Sequence, residues 1–128
     1  MSQGDLEGAT IKDLVVMFTA IAVKQNAALE GMKSAEYNRL YRQMERVEAQ
    51  LKVRQGDQRR ALIPLYHHPS PTVRFKAAMA TFVFAPQEAR EVLQLIKDRK
   101  EFPIAMNASQ MLSAIDEGRY GEEKRRLR

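Results

Sequence analysis

The segment from His67 to Pro86, HHPSPTVRFKAAMATFVFAP, constrains this chain more than any other. It reads as a turn, a helix started by Pro71 with Ser70 as its cap, and a second stop at Pro86. Val73, Ala77, Ala80 and Phe84 line one side of that helix, and Phe75, Ala78, Met79, Phe82 and Val83 cover most of the rest. Only Arg74 with Thr81 and, apart from them, Lys76 offer polar directions. A helix that is apolar nearly all round survives in a small chain only where other helices surround it. Val73 to Phe84 is therefore expected at the centre, hidden on all sides.

The flanking sequence supplies the wrapping. Ile11, Leu14, Val15, Phe18, Ile21, Ala22 and Leu29 recur at helical spacing behind a cap at Thr10. Tyr37, Leu40, Tyr41, Met44, Val47 and Leu51 form the cleanest amphipathic stripe, with Arg39, Arg42 and Arg46 opposite. The spacing predicts helices over about 10–30, 34–55, 58–66, 71–85, 86–99 and 103–117. Pro64 marks a first turn or a kink in the third. No stretch alternates apolar and polar residues for long, so strands are not expected. Short links make neighbours antiparallel, giving an all-α stack of three helical hairpins, paired 1–2, 3–4 and 5–6. Residues 1–118 form one domain, and 119–128 a basic tail expected to be mobile.

Cysteine is absent, which removes disulfides, thiolate metal sites and cysteine nucleophiles. Leu14 to Val23 is the most apolar run and is too short to span a bilayer. Met1 to Gly8 lacks the basic start and apolar core of a secretion signal. A cytoplasmic protein with no membrane role is expected. The net charge of +5 is unevenly placed: residues 33–60 hold eight Lys and Arg against four Asp and Glu, and residues 119–128 hold five against two.

Pro71-Thr72-Val73-Arg74-Phe75-Lys76-Ala77-Ala78 resembles a HEAT repeat, in which a proline turn precedes a Val-Arg pair and an Ala-Ala pair on the second helix. The likeness covers 58–85 well and 87–117 loosely, through Pro103, Ala105 and Ala108. The whole chain is similar to a family of small bacterial HEAT-like domains of unknown function. The resemblance implies an armadillo-type superhelix and no established activity. HEAT repeats commonly carry an aspartate in the turn, where this chain has His67-His68. The partner of Arg74 must then come from elsewhere, from Glu88, Asp116 or a carbonyl.

Hairpin stacks present a shallow groove from their second helices, here 2, 4 and 6. That groove would offer Arg39, Arg42 and Arg46 at one end and Asn107 with Gln110 at the other, so a protein partner with an acidic segment is expected. Arg74 is expected as a strut between helices rather than a ligand hook. Val16, Ala20, Val23 and Ala27 form a second apolar stripe on the first helix, a candidate for homodimerisation. The alternative reading is a nucleic-acid accessory domain using the basic face of helix 2 and the tail. His67 and His68 lack the convergent ligands of a metal site. No glycine-rich phosphate loop, serine elbow or histidine–carboxylate spacing is present, so neither catalysis nor a cofactor is expected.

Overall fold

The computed structural model describes residues 6–120. Between Ile11 and Asp116 the chain forms six helices, and no described residue is in a strand: α1 (Ile11–Glu30), α2 (Ser34–Val53), a 3-10 helix (Gln58–His67), α3 (Pro71–Thr81), α4 (Pro86–Asp98) and α5 (Ile104–Asp116). The fold is all-α, and the most extensive packing is within the sequential pairs α1 with α2, the 3-10 helix with α3, and α4 with α5.

Local chemistry sets the boundaries. Thr10 caps α1 reciprocally: its hydroxyl accepts from the Asp13 N–H at 3.0 Å, and its own N–H donates to the Asp13 carboxylate at 3.2 Å. Ser70 caps α3, with Pro71 in the first turn. The third helix is tighter than an α-helix throughout its ten residues. Pro64 lies inside it, and a proline ring there collides with the carbonyl four residues back, which blocks α geometry. The central helix ends at Thr81, short of the expected 85; Ala85 precedes Pro86, which disfavours helical geometry there, and has φ −139° and ψ 64°.

Two apolar clusters meet at α3. Val73, Ala77 and Ala80 join the cluster built by α1, α2 and the 3-10 helix, including Leu14, Phe18, Leu40, Val47 and Leu62. Phe75 and Ala78 join the cluster of α4 and α5, including Leu93, Ile96, Ile104 and Met111. The alanines let neighbouring backbones approach, and the aromatic and branched residues fill the gaps. From Thr72 to Thr81 every residue of α3 is buried except Met79, which is half-buried. The expected concealment stops there: Phe82 and Phe84 are half-buried and Val83 is 59% exposed, since the helix has ended. Thr72 ties α3 to α1 by donating to Asn26 at 2.8 Å, and the Tyr66 hydroxyl bonds Thr81.

The tail begins differently from expectation. Arg119 N–H closes the end of α5 on the Ala114 carbonyl, and the Tyr120 ring packs on Phe82, so both residues are held. The remainder of the predicted mobile tail, 121–128, lies outside the described residues.

Gln25 breaks the pattern of α1. It is wholly buried on the inward face, and neither its amide nitrogen nor its oxygen finds a hydrogen-bond partner among the described residues. A buried amide without partners costs about 1–3 kcal/mol. Gln25→Met, nearly the same shape, should therefore stabilise the fold by about 1 kcal/mol or more. A thermal melt should rise by roughly 3–5 °C, and an unchanged or lower midpoint would contradict this account.

Candidate binding cleft

Lys76 leaves α3 towards α2 although it is 92% covered, in contrast to the polar direction expected for it. The inward stripe of α2 carries tyrosines one turn apart, Tyr37 and Tyr41, and these enclose the ammonium. Its Nζ donates to the Tyr37 hydroxyl at 2.7 Å and sits 5.0, 4.9 and 5.9 Å from the ring centres of Tyr37, Tyr41 and Phe75. Aromatic faces attract a cation through their quadrupoles, more strongly where water is excluded. No carboxylate lies within ion-pair distance of Lys76 among the described residues. Burial pushes its pKa down to about 8, against the weaker opposing field of Glu48. Burial, with help from Tyr41, pushes Tyr37 up to about 12.

These side chains occupy the space between α2 and α3, whose backbones make little contact. A small cleft of about 50 Å³ results, lined by Tyr41, Met44, Glu45 and Glu48 of α2, Phe75, Lys76 and Met79 of α3, and Asn107 of α5. Its floor is thioether and ring, with Lys76 sealed beneath, whereas Glu45 is exposed and Glu48 half-buried. At one edge Tyr120 stacks on Phe82 with ring centres 4.4 Å apart and donates its hydroxyl to the Met79 carbonyl at 3.1 Å. Burial first, then the field of Glu48, pushes the Tyr120 phenol up to about 12, with Arg59 opposing. Arg59 is itself held by a two-pronged bond to Asp57 and lies 3.9 Å from Glu48.

A family described as Domain of unknown function (DUF2019) matches residues 12–116. The chain belongs to this family. The crystal structure of the protein RPA1889 from Rhodopseudomonas palustris CGA009 is similar to it, with a TM-score of 0.84 and 41% identity, covering 88% of this chain and 93% of that one. No curated protein matches the chain.

The structure of this DUF2019 chain redistributes the residues expected at the groove. Asn107 lines the cleft, whereas Gln110 is exposed outside its lining. Arg39, Arg42 and Arg46 are exposed and none borders it; Arg39 pairs with Glu36 on the same helix at 2.8 Å. Those arginines sit opposite the stripe that faces α3, so they cannot give the cleft a basic mouth. The carboxylates of Glu45 and Glu48 line this cleft instead. Val16, Ala20, Val23 and Ala27 all face solvent, as self-association through α1 would require, with Val16 60% and Val23 45% exposed. No helix of the described residues is long and apolar enough to cross a membrane.

Arg74 is fully engaged. Its Nε donates to the His68 carbonyl at 2.8 Å, one terminal nitrogen reaches the Pro69 carbonyl at 3.2 Å, and both terminal nitrogens clasp Glu101 at 2.7 and 2.8 Å. The expected carbonyl partner is thus present twice, while the carboxylate is Glu101, in the link between α4 and α5, and not Glu88 or Asp116; Asp116 bonds Arg90 instead. His68 Nδ1 accepts the Ser70 N–H at 3.0 Å, which fixes the turn, and His67 is exposed. No group of three metal-ligating side chains gathers among the described residues. The cage around Lys76 was not anticipated. Its trace in the sequence was a lone lysine in a helix with no polar face, opposite two tyrosines at helical spacing.

Both buried cations give pH signatures. The unfolded chain keeps the Lys76 proton to its ordinary 10.5, whereas the folded chain releases it near 8. Between those values the unfolded state binds more protons, so stability should rise with pH from about 8 to 10. Urea titrations should show this rise in wild type and its loss in Lys76→Met; equal slopes would refute the buried ammonium. Arg74 holds the Glu101 carboxyl below its usual range. That stabilisation is present above the unfolded carboxyl pKa and lost as pH falls through the folded value. Glu101→Gln should cost about 2 kcal/mol at pH 7, and its gap to wild type should close in acid.

Proposed function

We propose that the protein is a non-catalytic binding module, HEAT-like in build, whose cleft between α2, α3 and α5 takes a positively charged segment of another protein carrying an apolar side chain. The supporting observation is the order of groups that such a segment would meet. Glu45 and Glu48 stand at the wall, then Met44, Met79, Phe75 and Tyr41 form an adaptable apolar floor. Thioether-rich surfaces repack around varied side chains at low cost, and like-charge contact at the wall disfavours acidic segments. The lysine that an acidic segment would need is already covered by its rings.

Nucleic acid is the competing reading, because Arg42 and Arg46 are exposed. Other basic residues between 33 and 60 are committed within the chain. Arg39 pairs with Glu36, Arg54 donates to the Leu6 carbonyl, and Arg59 is bound to Asp57.

Titration calorimetry on the full chain separates the readings, using a synthetic octapeptide rich in arginine with a central leucine, its glutamate counterpart, and a duplex of random sequence. The arginine peptide should bind, and Glu45→Lys with Glu48→Lys should weaken it about tenfold or more, equivalent to 1.4 kcal/mol. Met79→Asp should weaken it without the same salt dependence. Preferred binding of the glutamate peptide would overturn the proposal. Duplex binding abolished by alanine at Arg39, Arg42 and Arg46 would establish the nucleic-acid reading in its place.

A further inference from the structure

We infer that a second cleft, beside the His67-His68 turn and on the other side of α3 from Lys76, binds a small free carboxylic acid bearing an apolar or aromatic group. It shares no lining residue with the Lys76 cleft and does not depend on the function proposed for that one. Its volume is about 430 Å³, within the range of clefts that hold small molecules. The turn before α3 supplies one side, and α4 with the link into α5 supplies the other. The Arg74–Glu101 pair fastens the two together.

The class of ligand follows from which polar groups of the lining are already spent. Arg74 takes acceptors from both sides: the His68 and Pro69 carbonyls and both oxygens of Glu101. What is left over is donors. His68 Nδ1 accepts the Ser70 N–H, so the neutral ring carries its proton on Nε2, and that nitrogen has no partner among the described residues. Arg99 closes the end of α4 through its backbone N–H on Leu95. Its guanidinium is exposed and makes no hydrogen bond or ion pair among the described residues. Arg74 first, and Arg99 more weakly, hold the Glu101 carboxyl below its usual range, so it stays ionised and paired. With Glu101 cancelled by Arg74, the charge in excess is that of Arg99.

An ionised carboxylate accepts only and carries one charge, and so matches the donors and the excess charge together. Arg99 can take both of its oxygens in the fork geometry of a guanidinium. A phosphate dianion leaves one charge uncompensated beside Glu101. A peptide segment brings N–H groups for which Arg74 has left little to accept them. The apolar group is called for by Val92, Leu95 and the ring of Tyr66, which complete the lining. Leu95 is 48% exposed, and burying that area against a hydrocarbon is favourable.

Titration calorimetry on the full chain tests this with 3-phenylpropionate, 3-phenylpropionamide, inorganic phosphate and acetyl-glycyl-leucine. The acid should bind about tenfold more tightly than its amide, which has the same shape but brings donors in place of an acceptor. Arg99→Gln should weaken the acid by about tenfold, and Leu95→Asp should weaken it similarly. Arg42→Gln removes the same charge outside the cleft and should leave the affinity within about twofold of wild type. In NMR spectra the acid should shift the His68 Nε2 resonance. Equal binding of acid and amide, or an equal loss in Arg42→Gln and Arg99→Gln, would overturn the proposal. So would an unmoved His68 resonance, or no binding of the acid at all. Phosphate binding more tightly than the acid would overturn it in favour of an oxyanion site, and acetyl-glycyl-leucine binding more tightly would overturn it in favour of a protein C-terminus.

Discussion

A helix with no solvent face must place its cations inside the protein, and α3 has two. Arg74 and Lys76 are two residues apart on a helix, which sends their side chains to nearly opposite sides. The protein resolves them by different chemistry. The planar guanidinium takes a carboxylate in both prongs and two carbonyls from the preceding turn. The ammonium, a compact point charge, takes a phenol and aromatic faces. The two solutions are not interchangeable, because a lysine cannot span Glu101 and both turn carbonyls with one nitrogen. One cation locks the links on either side of α3, and the other props α2 away from it.

That second effect produces the cleft. If position 76 were a short apolar residue, α2 and α3 could close over Phe75 and the stack would be continuous there. Lys76 and the two tyrosines keep them apart, at the cost of burying a charge that has no carboxylate beside it among the described residues. Desolvation of an ammonium is unfavourable, and burial holds the Lys76 pKa below its ordinary value. Local rules of good packing are broken in folded proteins chiefly where a surface is kept for use. Gln25 breaks a similar rule in α1.

Fold and site were unequally legible for a physical reason. The helices follow from apolar period and punctuation, which act within a few residues: Thr10, Ser70, Pro71 and Pro86 act as expected. The 3-10 character of 58–67 follows from Pro64, though its extent depends on how that turn packs. Side-chain partners across the fold carry no such local mark. Glu101 lies 27 positions from Arg74 and Tyr37 lies 39 from Lys76, so neither pairing has a spacing to betray it. The arginines of α2 were visible as a face, but which face meets the cleft is decided by where α3 lies.

Net charge misleads about this surface because it averages over distances at which charges do not act together. At physiological salt a field decays over about 8 Å, so Arg39 and Arg46, turned away from the cleft, act at its mouth more weakly than Arg42, one turn before Glu45. Their effect is on approach: a chain of +5 draws anions towards it at long range. Contact is governed instead by Glu45 and Glu48, which reject those same anions on arrival. A cationic segment approaches an unfavourable overall charge and finds a favourable wall.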